Sequence, residues 1–106
     1  MNHESIIFIA EYYGFDNQKE QLNEEMAELT LALSKYKREF AFHGELNCFT
    51  EYNRLQVAEE IADVIVMLEQ IKHLLAIPDD YVEKQVDYKV KRQLAIIEQE
   101  IEKEKE

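Results

Sequence analysis

The chain has 106 residues, with 12 Lys and Arg against 23 Asp and Glu, and a formal net charge of −11. This length fits one domain spanning 1–106 with one modest hydrophobic core, and 46% apolar residues beside 33% charged ones exclude a disordered acidic chain. The acid excess argues against a surface for a nucleic-acid polymer or an anionic membrane, both of which need clustered Lys and Arg, and it leaves room for a divalent cation.

A single cysteine, Cys48, excludes an intrachain disulfide and a Cys-based zinc site, and it suits a reducing cytosol. The start, MNHESIIFIAEYYG, lacks a basic n-region and a small-residue cleavage site. The longest apolar stretch, IADVIVMLEQIKHLLAI, is broken by Asp63, Glu69, Lys72 and His73, whereas a membrane span needs about 20 mostly apolar residues. The expectation is a soluble, cytoplasmic protein that does not span a membrane.

Only two glycines and one proline occur, each where a helix should stop or start. The apolar run Ile6–Tyr13 predicts a first helix over 4–13, ended by Gly14. Asn17 and Glu20 stand at capping-box spacing and open a second helix over 17–42, ahead of Gly44. Thr50 is a candidate cap for a third helix over 50–76. Pro78 then breaks the chain, and Asp80 with Glu83 repeats the capping-box pattern for a fourth helix over 80–103. No stretch alternates with period two for long enough to predict a strand, so the fold class is all-α. The end of the chain, EQEIEKEKE over 98–106, reads as a solvated, fraying helix end.

The second helix carries Leu22, Met26, Leu29, Leu33, Tyr36 and Phe40 at spacings of four and three, one apolar seam. The fourth carries Val82, Val86, Val90, Leu94, Ile97 and Ile101 in a similar seam. The third differs, because Val57, Ile61, Val64, Ile65, Val66, Met67, Leu68, Ile71, Leu74 and Leu75 go nearly all the way round. Such a helix is buried on all sides. Three other helices, one of them short, can hardly cover it, so the sequence predicts a bundle completed by a second subunit.

Two acidic pairs break the amphipathic pattern. EEMAEL places Glu25 and Glu28 three residues apart, and EEIAD does the same for Glu60 and Asp63, so each pair shares one helix face. Glu25 lies about 60° from the centre of its seam, at the edge, and the Glu60–Asp63 stripe continues as Met67, Ile71 and Leu74. Carboxylates bordering a core are costly unless something positive neutralises them, and four of them would raise one another's pKa. A hard divalent cation resolves both problems, and oxygen-only ligands favour Mg²⁺ or Mn²⁺ over zinc or copper. The repeated Glu-x-x-His of a di-iron bundle is missing, and His3, His43 and His73 read as surface or boundary residues. Phe8, Tyr12, Tyr13 and Phe15 either stack on a base or pack the first helix onto the bundle.

LNEEMAEL followed by VAEEIADVIVML resembles the MazG-like all-α nucleoside triphosphate pyrophosphohydrolases, whose signature is E-x-x-E on one helix and E-x-x-D on the next, usually with a doubled acid in each. Glu25, Glu28, Glu60 and Asp63 match the signature, with Glu24 and Glu59 as the doubled acids, and the resemblance covers roughly residues 5–95. The interval from Glu28 to Glu60 is longer than usual in the family, which requires a longer second helix or an enlarged loop around Gly44–Phe49.

The resemblance implies a four-helix MazG-like bundle forming a homodimer or homotetramer. It also implies Mg²⁺ bound by the four acids, and a nucleoside or deoxynucleoside triphosphate substrate cleaved to monophosphate and pyrophosphate in nucleotide-pool housecleaning. The same acids, or Glu24 or Glu59, would then orient the attacking water. Fixed cations are also needed to bind the phosphates. The stretch YKVKRQL resembles the family's phosphate-contacting segment and favours Lys89 and Arg92, with Lys84 and Lys91 on the other flank of the fourth helix. The rival expectation is a non-catalytic helical interaction protein or nucleotide-binding protein, with its acids merely solvated.

Overall fold

The computed structural model describes residues 1–43 and 48–105. Those residues form four helices and no strand, so the fold is all-α. Helices α1 (3–13) and α2 (15–43) make up the stretch His3–His43, which is interrupted at Gly14. They are followed by α3 (Cys48–Leu74) and α4 (Asp79–Glu104). Among the described residues no helix is long and apolar enough to cross a membrane. The stop expected at Gly44 and residues 44–47 of the loop expected around Gly44–Phe49 lie outside the described residues, whereas Cys48 and Phe49 already belong to α3.

The break at Gly14 is a matter of backbone dihedrals. Gly14 has φ 83° and ψ 169°, a region open essentially to glycine alone. A Cβ there would meet nothing within 4 Å, so conformation and not space demands glycine. The capping box expected at Asn17 is not formed. Helix α2 resumes directly after Gly14, which puts Asn17 inside its first turn, and Asn17 Nδ2 donates back to the Tyr13 carbonyl oxygen at 2.9 Å. The side chain thereby satisfies a carbonyl that the break leaves open at the end of α1.

Other helix ends also differ from expectation. Asn2 caps α1, its Oδ1 accepting from the Ser5 N–H at 3.1 Å. Thr50 lies inside α3, which begins at Cys48. The Asp80–Glu83 box is likewise not made: Pro78 occupies the cap position of α4 without a side-chain cap bond. Asp79 and Asp80 instead sit in the first turn, where the positive end of the helix dipole favours them. Helix α3 ends at Leu74 rather than at 76, and Ala76 adopts a left-handed φ of 53°, the usual device for stopping a helix, here without glycine.

The chain forms two compact units, Met1–Leu75 with α1 to α3 and Ala76–Glu106 with α4. In the first unit α2 and α3 run antiparallel. Gln18 meets Gln70, Glu25 meets Glu60 and Asp63, and Leu33 and Tyr36 share a groove with Arg54 and Val57, so numbers rise along α2 as they fall along α3. Ile6 and Ala10, one turn apart on α1, are buried, as is Met67 on α3. Glu11 joins α1 to α3 by accepting from His73 Nε2 at 2.9 Å.

The most deeply buried polar contact in this unit is an amide pair. Gln18 Nε2 donates to Gln70 Oε1 at 2.7 Å, and Gln70 Nε2 turns to Met67 Sδ at 3.6 Å. Gln18 is 6% and Gln70 2% exposed, so neither amide has water as an alternative partner. Much of α3's apolar surface remains open in the single chain, including Ile61, Ile65, Val66 and Leu68. Helix α4 has no buried residue, and Val86, Val90, Leu94, Ile97 and Ile101 of its seam are exposed.

Gln18→Ala should lower the unfolding free energy by about 1–3 kcal/mol, because it strands the Gln70 amide. Replacing both Gln18 and Gln70 by Leu should cost less than that single change, as read by urea denaturation. Gly14→Ala should independently cost about 1–3 kcal/mol through its left-handed φ.

Candidate metal centre

Helix α2 presents Gln21, Glu25 and Glu28 one turn apart, and α3 presents Glu60 and Asp63 across from them. The antiparallel register brings one carboxylate oxygen each from Glu25, Glu60 and Asp63 within 4.8 Å of one another. Glu25 and Glu60 are half-buried, and Asp63 is exposed. Residues far apart in the chain thus form one acidic cluster, because Glu25 and Asp63 each stand seven residues from the Gln18–Gln70 bond. Seven residues is about two helical turns on both helices.

Two oxygens of the cluster, Glu25 Oε2 and Glu60 Oε2, are buried without a hydrogen-bond partner. The other Glu25 oxygen is held, since Gln21 Nε2 donates to Oε1 at 2.8 Å. The described ion pairs of the first unit lie elsewhere: Lys19 with Glu20, Arg54 with Glu51, Lys72 with Glu69 and His73 with Glu11. Buried anionic oxygens with neither donor nor cation are costly. An all-oxygen donor set of this kind can hold a hard divalent cation such as Mg²⁺ or Mn²⁺.

The electrostatics of Glu25 reflect this crowding. The Gln21 hydrogen bond pulls its pKa down. Burial and repulsion from Asp63 and Glu28 outweigh that pull, and the net effect raises the pKa above the ordinary glutamate value.

Three of the four expected acids therefore converge. Glu28 is exposed and close enough to Glu25 to repel it, but its oxygens are not among those that meet. The doubled acids Glu24 and Glu59 are exposed. Lys84, Lys89, Lys91 and Arg92 lie on α4 in the second unit, all exposed, with the Arg92 guanidinium 5.9 Å above the Tyr88 ring.

Gln21 was not among the sequence candidates, although its i, i+4 spacing to Glu25 is the signal for such a bond. It also lines a cleft of about 490 Å³ with Tyr13, Asn17 and Gln18. Farther along α1, Phe8 and Tyr12 stack at 6.4 Å, and Tyr12 meets Tyr13 edge-on at 5.0 Å. Phe8 and Tyr12 are largely exposed and Tyr13 about half-exposed.

The raised pKa of Glu25 has a definite sign in stability. The folded state binds that proton more tightly than the unfolded state, so the contribution is fully present below the unfolded glutamate value. It is lost as pH rises through the folded one. Cation-free protein should therefore lose stability as pH climbs just above the ordinary glutamate range. Glu25→Gln should flatten that slope and raise the neutral-pH melting temperature, as read by thermal denaturation in chelator. No protein-family model, curated protein or solved structure matches the chain.

Proposed function

We propose that this chain is a MazG-like, Mg²⁺-dependent pyrophosphohydrolase. It cleaves nucleoside or deoxynucleoside triphosphates in the cytoplasm to the monophosphate and pyrophosphate, as a homodimer or homotetramer. The observation that carries this is the cross-helix cluster of Glu25, Glu60 and Asp63, with two buried carboxylate oxygens lacking any partner. It coincides with three of the four positions at which the sequence resembles the family signature. The exposed apolar residues of α3 support the oligomer, since a single chain leaves them in water.

Glu25, Glu60 and Asp63 would hold the cation, with Glu28 one turn along α2 completing the anionic set. When bound, a divalent ion neutralises phosphate oxygens and lowers the pKa of water. The chain's own part is to hold these oxygens in place and to take the proton from the attacking water on a carboxylate. Water adds to the phosphorus at the α–β linkage, the bond to the bridging oxygen breaks, and pyrophosphate leaves with that oxygen. Lys89 and Arg92, with Lys84 and Lys91, are the phosphate-binding candidates in this otherwise acidic chain.

A second reading, a helical interaction protein, draws on the exposed seam of α4. Metal dependence separates the two, because a cation that binds only the folded state stabilises it by mass action.

Incubating the protein and Mg²⁺ with a panel of triphosphates should yield monophosphate and pyrophosphate. Glu60→Gln should reduce turnover at least a thousandfold with helicity unchanged, since a neutral amide is a poor Mg²⁺ ligand. No turnover by wild type, together with no Mg²⁺-dependent rise in melting temperature, would favour the interaction protein.

A further inference from the structure

The cleft of about 490 Å³ at the α1–α2 elbow is lined by Tyr13, Asn17, Gln18 and Gln21. Its volume falls in the range of small-molecule sites, about 300–1,000 Å³. Three of its four side chains are amides, which is the wrong chemistry for a gap left by imperfect helix packing. Gly14 makes the recess: by breaking the helix between Tyr13 and Phe15 it turns α1 away from the line of α2.

The amides are held in specific orientations. Gln18 is committed inward to Gln70, so it forms the floor. Asn17 spends one N–H on the Tyr13 carbonyl and Gln21 spends one on Glu25. Because a carbonyl and a carboxylate can only accept, these bonds fix which end of each amide is nitrogen. Asn17 Oδ1 and Gln21 Oε1 are left as acceptors, each beside one remaining N–H. Such a donor–acceptor pair reads the edge of a nucleobase. Tyr13 is about half-exposed and offers a ring face for stacking. Gln21 ties the recess to the acids, since the side chain that lines it also grips Glu25, one turn away.

We infer that this cleft is the nucleobase subsite, in which the base stacks on Tyr13 and presents its hydrogen-bonding edge to Asn17 and Gln21 while the phosphates extend towards Glu25. The inference rests on the pyrophosphohydrolase reading. It assigns base selection to the first unit alone.

The test measures kcat and KM of the full chain with Mg²⁺ for triphosphates of adenine, guanine, cytosine and uracil. Tyr13→Ala should raise KM about tenfold or more with kcat little changed, since stacking is lost while the reacting centre is untouched. Asn17→Asp replaces donor and acceptor by acceptors alone. It should shift relative kcat/KM about tenfold towards adenine, guanine and cytosine, whose amino groups donate, and away from uracil, whose edge carries two carbonyl acceptors. Both residues are exposed, and because Asn17→Asp also gives up the bond to the Tyr13 carbonyl, circular dichroism and thermal denaturation check that the elbow's fold is kept.

An active wild type whose two variants keep its KM values and its base order would overturn the subsite and leave the reaction standing. A wild type inactive on every triphosphate would instead sink the reaction. In that case calorimetric titration with nucleoside 5′-monophosphates against ribose 5-phosphate decides the cleft. Tighter binding of the nucleotide that is lost in Tyr13→Ala supports it, and equal binding of both probes overturns it.

Discussion

The hydrogen bond between Gln18 and Gln70 is the constraint on which the first unit depends. Apolar seams alone would let two antiparallel helices slide by a turn at small cost, because one aliphatic side chain packs almost as well as another. A buried amide has no such tolerance. Displaced by one turn, each loses its partner in a place that water does not reach, and the penalty falls on both groups. The bond therefore fixes register, and register places Glu25 opposite Asp63 two turns away. The Gln70 contact to Met67 Sδ extends the same lock into the apolar layer beside it.

A seam that carries amides and carboxylates has less room for hydrocarbon. Ile6, Ala10 and Met67 are the buried apolar side chains among the described residues, while Ile61, Ile65, Val66 and Leu68 stay partly exposed on the helix that bears two of the acids. A second copy is the natural cover in the proposed assembly. The net charge of −11 would oppose that association, and a cation held by the acids, as proposed, would relieve part of the repulsion.

How much of this was legible in the sequence differs from residue to residue. The four helices were, because period 3.6 is written in Leu22–Phe40 and Val82–Ile101, and Gly14 and Pro78 punctuate them. The acidic cluster was legible from two pairs at i, i+3, which share a face whatever the helix boundaries are. The caps were not. Capping-box spacing at Asn17 and Asp80 assumes that a helix begins there, whereas a single glycine dihedral let α2 resume at once and Pro78 took the cap position of α4. Gln18 and Gln70 were invisible for another reason. A glutamine reads as surface on any helical wheel, and only a partner 52 residues away makes it core. Glu28 fell short of the cluster because i, i+3 neighbours share a face without sharing a distance to the opposite helix.

Glu25 shows what the acidic arrangement costs. Gln21 favours its charged form, while burial, Asp63 and Glu28 oppose it more strongly. An apolar residue at the edge of that seam would have made the two helices more stable, and Gln21 would then have had no carboxylate to hold. Keeping a carboxylate there, oriented by an amide and crowded by two others, stores repulsion between the two helices. Under the proposed function, positive charge arriving between the helices would relieve that repulsion, and the energy lost to folding would reappear as affinity for a cation.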